Sequence, residues 1–120
     1  MLTQIHSEYQ NELFFINITL DESVFRMFID TGATASVLFK SDKHSYDKGI
    51  KNISTIKIML SNNNYIKLNN INFYIKNLPY VQIPCSTGNI MCDGIIGVNV
   101  LKKISPFMID YKSKMILITK

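Results

Sequence analysis

Asp30 is the residue of this sequence best placed to do chemistry. It directly follows the apolar run 24–29, interrupted only by Arg26, and directly precedes Thr31-Gly32-Ala33. A carboxylate is costly to desolvate, so one at the end of a strongly apolar strand needs a dedicated environment. Thr31 can bond locally through its hydroxyl, and Gly32 permits a tight turn with close backbone approach. Together they would aim backbone N–H groups at the Asp30 carboxylate, which suits general acid–base work on a bound water. On these three residues alone, an ordinary turn carrying an Asp is the simpler reading.

Other constellations are weaker. Ser36, His44 and Asp30 do not form a nucleophile elbow, because no Gly-x-Ser-x-Gly is present, and His44 sits in a polar loop. Cys85 and Cys92 with His6 or His44 lack the paired spacing of a zinc site, so no metal or other cofactor is expected. Asp93 and Asp110 read as loop and strand-end carboxylates. Between the cysteines, Gly88-Asn89 centres a turn that would set Cys85 opposite Cys92, within disulfide reach. Two buried, reduced thiols are the competing expectation.

The elements that must position Asp30 are strands. Phe14, Ile16, Ile18 and Leu20 alternate with Phe15, Asn17 and Thr19, the period of a half-buried strand. After the turn Asp21-Glu22-Ser23, residues 24–29 form a second, more buried strand ending at Asp30. Residues 41–49 read as a polar loop. Ile56, Ile58 and Leu60 alternate with Lys57 and Met59, then Ser61-Asn62-Asn63-Asn64 turns the chain back into Tyr65-Ile66-Lys67-Leu68 and on through Ile75. One short helix is expected over 98–104, with Val100, Leu101 and Ile104 on one face and Ser105-Pro106 as its stop. Residues 107–111 and 115–119 are closing strands. Residues 1–120 therefore read as one mainly β domain.

At 120 residues with 47% hydrophobic composition, the chain can bury a core of its own. The net charge of +4 comes from dispersed lysines, with Arg26 the one arginine. That dispersion argues against a nucleic-acid partner, whose readers concentrate basic residues on one face. No window approaches the roughly 18 apolar residues of a membrane span. Residues 1–11 lack the apolar stretch of a signal peptide. A cytoplasmic setting follows if Met1 is the native start, and a periplasmic or membrane-anchored one if a targeting segment has been removed.

The wider context of Asp30 carries a resemblance. Asp30-Thr31-Gly32-Ala33-Thr34-Ala35-Ser36-Val37-Leu38 is followed downstream by Asp93-Gly94-Ile95-Ile96-Gly97-Val98-Asn99-Val100-Leu101. Over roughly residues 12–119 the sequence resembles the retropepsin-like aspartic proteases, retroviral and single-domain bacterial. The resemblance implies an acid-protease half-barrel with a flap hairpin and one short C-terminal helix. It implies an endopeptidase in which Asp30 of two chains forms a dyad across a homodimer and hydrolyses an extended peptide or protein substrate. Thr31 would brace the two turns, Gly32 would contact substrate, and Ala33 would complete the turn. Ile95, Ile96 and Gly97 would pack beneath it. The hairpin around residues 57–68 would be the flap, with Ser61, Asn62, Asn63, Asn64 and Tyr65 at its tip. The alternative is a catalytically silent peptide-binding or assembly module on the same fold. Thr34 and Val98 replace the Asp and Arg that pair near the retroviral dimer interface. The expected flap tip lacks the retroviral glycines, although asparagine tolerates the left-handed backbone of a tight turn.

Overall fold

The computed structural model describes residues 2–77 and 91–119. Strands β1 (Leu2–Ile5), β2 (Ser7–Gln10), β3 (Leu13–Leu20), β4 (Ser23–Ile29), β5 (Ser36–Phe39), β6 (Gly49–Met59) and β7 (Tyr65–Lys76) come first. Strand β8 (Gly94–Ile96), helix α1 (Val98–Ile104) and strands β9 (Phe107–Asp110) and β10 (Met115–Thr119) follow. Seven strands form one sheet in the order β2-β3-β4-β8-β5-β7-β6, and β6 pairs back onto β3, giving a barrel-like wrap. A smaller antiparallel sheet, β1-β10-β9, covers one end.

Alternation in β3 buries Phe14, Ile16, Ile18 and Leu20 in the main core, as the sequence pattern predicts. Phe15, on the opposite face, is also buried, against Phe28 and beneath the Arg26 guanidinium at 4.2 Å. The turns entering and leaving β3 hold Asn11 and Glu12 at φ 52° and 65°, and Asp21 and Glu22 at φ 46° and 69°. Two successive left-handed residues match the twist of a tight hairpin. A glutamate there costs on the order of 1 kcal/mol, which the ladder Leu20↔Ser23 through Phe15↔Phe28 offsets.

The β6–β7 ribbon changes its buried face partway along. Near its open end Ile53, Ile71, Phe73 and Ile75 point into the core, whereas near its tip Ile56, Ile58, Ile66 and Leu68 do. The register is unbroken, with Ile53↔Ile71 and Thr55↔Asn69. A strand of period two cannot bury both sets on one face. The ribbon therefore twists near Ser54 and Asn70, and Asn70 adopts φ 57°. Asn63 takes φ 69° in the tip turn, the left-handed asparagine expected there.

Helix α1 has the expected limits and buries Val100, Leu101 and Ile104, with Lys102 and Lys103 in its last turn, where cations suit the helix dipole. Strands β1, β2, β5 and β8 were not evident in the sequence pattern. The first two are polar edge strands, held by Leu2↔Thr119 to Ile5↔Ile116 and by Ser7↔Ile16 to Gln10↔Leu13.

Candidate active site

Strand β8 is the key to how Asp30 is held. It lies parallel to β4, with Met27↔Gly94, Phe28↔Ile95 and Ile29↔Ile96 in register. On its other side it runs antiparallel to β5, with Val37↔Ile95 and Leu38↔Gly94. The two strands that flank the Asp30 turn are thus bridged by one short strand from more than fifty residues downstream. Asp93 staples its start. The Asp93 N–H donates to Arg26 O at 2.7 Å, and Asp93 O accepts from Phe39 N at 2.8 Å. The Asp93 carboxylate accepts from Arg26 N at 2.7 Å and pairs with Lys43 at 2.8 Å.

Beyond β4, Asp30 N donates to Ile96 O at 3.0 Å, carrying the ladder one residue into the turn. Asp30 Oδ1 accepts the Gly32 N–H at 3.0 Å, and Ala33 N donates to Asp30 O at 3.2 Å. This is an Asx-type turn that fixes one carboxylate oxygen. Among the described residues Oδ2 has no partner, and neither has the hydroxyl of the exposed Thr31. Asp30 itself is half-buried. Beside it lies a hollow of about 200 Å³ walled by Leu13, Phe14, Phe28, Ile29, Ile109 and Tyr111, with Glu12 and Thr31 at its polar edge. A second, more apolar hollow flanks Thr31 and is lined by Val98, Leu101 and Phe107.

Gly97 sits directly under the turn. A Cβ there would lie 2.3 Å from Ala35 O and 2.8 Å from Ala33 O. Its own φ of −105° is ordinary, so close approach is what requires glycine. Val98 N donates to Ala33 O at 2.8 Å, and Gly97 N donates to Ser36 Oγ at 2.9 Å. The structure thus brings Ile96 against Asp30 and Gly97 against Ala33, while Ile95 lies between Phe28 and Val37.

The hairpin tip is placed differently from the flap expectation. Ser61 N donates to Gln4 O at 3.0 Å, His6 N donates to Met59 O at 3.0 Å, and Ile5 bridges Leu60. None of Ser61, Asn62, Asn63, Asn64 or Tyr65 lines the hollow beside Asp30. Backbone bonds to β1 occupy this tip, whereas a flap would have to swing freely. The expected hairpin formed, but its tip goes to the terminal sheet.

Several other expectations meet the structure here. His44 donates from Nε2 to Phe39 O at 2.9 Å and stacks on Tyr46, well integrated in its loop. Cys85 lies outside the described residues, so the Cys85–Cys92 expectation does too. Cys92 packs beside Phe15 and Phe28. Among the described residues no group of three His, Cys, Asp or Glu gathers to hold a metal ion, and no helix is long and apolar enough to cross a membrane. Ser36 was weighed only as a member of a dismissed triad with His44 and Asp30, and Asn99 was not singled out by sequence reasoning. The available signal was a hydroxyl and an amide inside otherwise apolar segments, which must find buried partners.

Barrel wrap, bridging strand, Asp-bearing turn and following helix together make this a retropepsin-like fold. Among solved structures, a retropepsin-like aspartic protease from Rickettsia conorii superposes with a TM-score of 0.62 at 14% identity, over 98% of this chain and 87% of that one. The retroviral protease-like domain of Ddi1 from Leishmania major superposes with a TM-score of 0.54 at 22% identity, over 87% of this chain and 84% of that one. At these identities the likeness is one of fold. No protein-family model matches the sequence, and no curated protein matches it.

Proposed function

We propose that this chain is an aspartic endopeptidase that works as a homodimer, each protomer supplying its Asp30. The observation that carries the reading is an Asp30 with Oδ1 fixed by the Gly32 N–H and Oδ2 unpartnered among the described residues, beside an open hollow of about 200 Å³. A second Asp30, brought up by two-fold symmetry, completes the pair. Two carboxylates about 3 Å apart cannot both ionise, so they share one proton. The ionised one takes a proton from a bound water, whose oxygen attacks the scissile carbonyl carbon. The protonated one gives its proton to the carbonyl oxygen. Collapse of the resulting diol breaks the C–N bond, with a proton passing to the leaving nitrogen. No covalent intermediate is needed. The Thr31 hydroxyl, unpartnered among the described residues, is exposed at the side of the turn and suits a bond to the partner's turn. Thr34 and Val98 provide no ion pair across such an interface, so association is expected to be weak without substrate.

The test is incubation with a mixed peptide library, wild type beside Asp30→Asn, read by mass spectrometry. Cleavage at discrete sites by wild type alone supports the proposal. Equal cleavage by Asp30→Asn, or none by either, rejects it.

A further inference from the structure

Ser36 is the one polar side chain, among the described residues, that is fully buried in the core, with 0% of its surface exposed. Its hydroxyl accepts the Gly97 N–H at 2.9 Å and donates to Asn99 Oδ1 at 2.7 Å. Asn99 then donates from Nδ2 to the carbonyl of Asn72 at 2.9 Å. Each step has only one sense. A backbone N–H can only donate, so the Ser36 proton is committed to Asn99, and a carbonyl can only accept, so the amide orientation of Asn99 is fixed. The relay ties the β8–α1 turn to β5, to the helix and to β7.

Two residues of that turn, one on either side of Gly97, grip the Asp30 loop. Ile96 O holds Asp30 N at 3.0 Å, and Val98 N holds Ala33 O at 2.8 Å. Between them lies Gly97, whose peptide plane is fixed from the other side by Ser36. That plane also carries Ile96 O, so its rotation would move the first grip directly and, through the Gly97 backbone, disturb the second at the other end of the turn that carries Asp30.

We infer that Ser36 and Asn99 are positioning residues for Asp30, acting through Gly97 on the geometry of the dyad. This rests on the reading of Asp30 as catalytic. Without the Ser36 hydroxyl, the buried Gly97 N–H has no partner within reach and the turn gains freedom. Near-attack geometry tolerates little error, since a displacement of about 1 Å can cost about a hundredfold in rate.

The experiment compares wild type, Ser36→Ala, Asn99→Ala and the double variant, by steady-state kinetics and by amide hydrogen exchange. The expected result for Ser36→Ala is a kcat lowered roughly ten- to a hundredfold with KM within about twofold. The Gly97 and Val98 amides should exchange at least about tenfold faster, with those of β3 unchanged. Because the two residues act in series, the double variant should be no slower than Ser36→Ala by more than about twofold. If Ser36→Ala does not fold, Asn99→Ala, at a half-buried site, carries the same comparison. Unchanged kcat in either folded variant, or loss of protection spread evenly over β3 and the turn, would overturn the inference. A wild type that cleaves nothing rejects the protease reading separately. The exchange arm then still decides, and unaltered Gly97 protection in Ser36→Ala refutes the positioning role.

Discussion

Replacing Gly97 by alanine should be among the most damaging single-methyl additions in this protein. The new Cβ would meet Ala35 O at 2.3 Å, the Ala35 carbonyl carbon at 2.7 Å and Ala33 O at 2.8 Å, all backbone atoms. Ordinary contact begins near 3.4 Å, so the two segments must part by roughly 1 Å. Overpacking of this kind costs about 1–3 kcal/mol, and weakening the Val98–Ala33 and Gly97–Ser36 bonds adds about 1 kcal/mol each. The total, about 3–5 kcal/mol, is a large part of the 5–15 kcal/mol typical of a domain. With a urea m-value of about 2 kcal/mol/M, the unfolding midpoint should fall by about 2 M. The sequence has no tryptophan, so far-ultraviolet circular dichroism or tyrosine emission is the readout. Gly49→Ala is the control. Nothing lies within 4 Å of its Cβ position, but φ is +121°, so only backbone strain of about 1–2 kcal/mol opposes it. A Gly97→Ala protein within about 0.5 kcal/mol of wild type, or less destabilised than Gly49→Ala, would refute the close-approach argument.

Asp30→Asn should abolish peptide cleavage while leaving the unfolding midpoint nearly unchanged, since the half-exposed side chain keeps an oxygen for the Gly32 N–H; retained cleavage in enzyme free of wild type would count against Asp30. Tyr46 is pushed up to about 12, first by burial and then by its hydrogen bond to Asp21. Because its folded value is raised, the associated stability is present below pH 10 and lost as pH rises towards 12. Alkaline titration followed by tyrosinate absorbance should show one late tyrosine that Tyr46→Phe removes. Asp110 is held below its ordinary value, chiefly by the Ser113 N–H at 3.1 Å, with Lys112 N at 3.0 Å contributing. The sign is opposite here, so this contribution is present above the unfolded value and fades as acid protonates the folded carboxylate. Carbon-detected titration should place the Asp110 midpoint below the ordinary value of 3.8, and a midpoint at or above it would contradict the turn geometry.

What could be read in advance was what short-range chemistry constrains. The turn at Asp30 and the apolar pair before Gly97 stood out through their joint resemblance to the retropepsin-like proteases, since neither piece is specific by itself. Helix α1 declared its limits through Val100, Leu101, Ile104 and the following Ser105-Pro106. The hairpin tip was legible as a turn, but its destination was not, because Ser61 finds Gln4 across fifty-seven positions. Strands β1 and β2 escaped notice for the same reason. Their side chains are largely polar, and their partners lie on β10 and β3. The odd spacing from Ile53 to Ile56 was visible, yet it takes the paired ribbon to reveal it as a change of buried face. Ser36 and Asn99 lie sixty-three residues apart, and neither alone suggests the other.

The central claim is that two copies of Asp30 make one hydrolytic centre. It is tested most directly by holding total chain concentration constant while replacing wild type with Asp30→Asn, after subunit exchange. If each centre needs both carboxylates, activity follows the square of the wild-type fraction and falls to roughly a quarter at an equal mixture. A straight-line fall to roughly half would mean that each chain works alone, and would contradict the account.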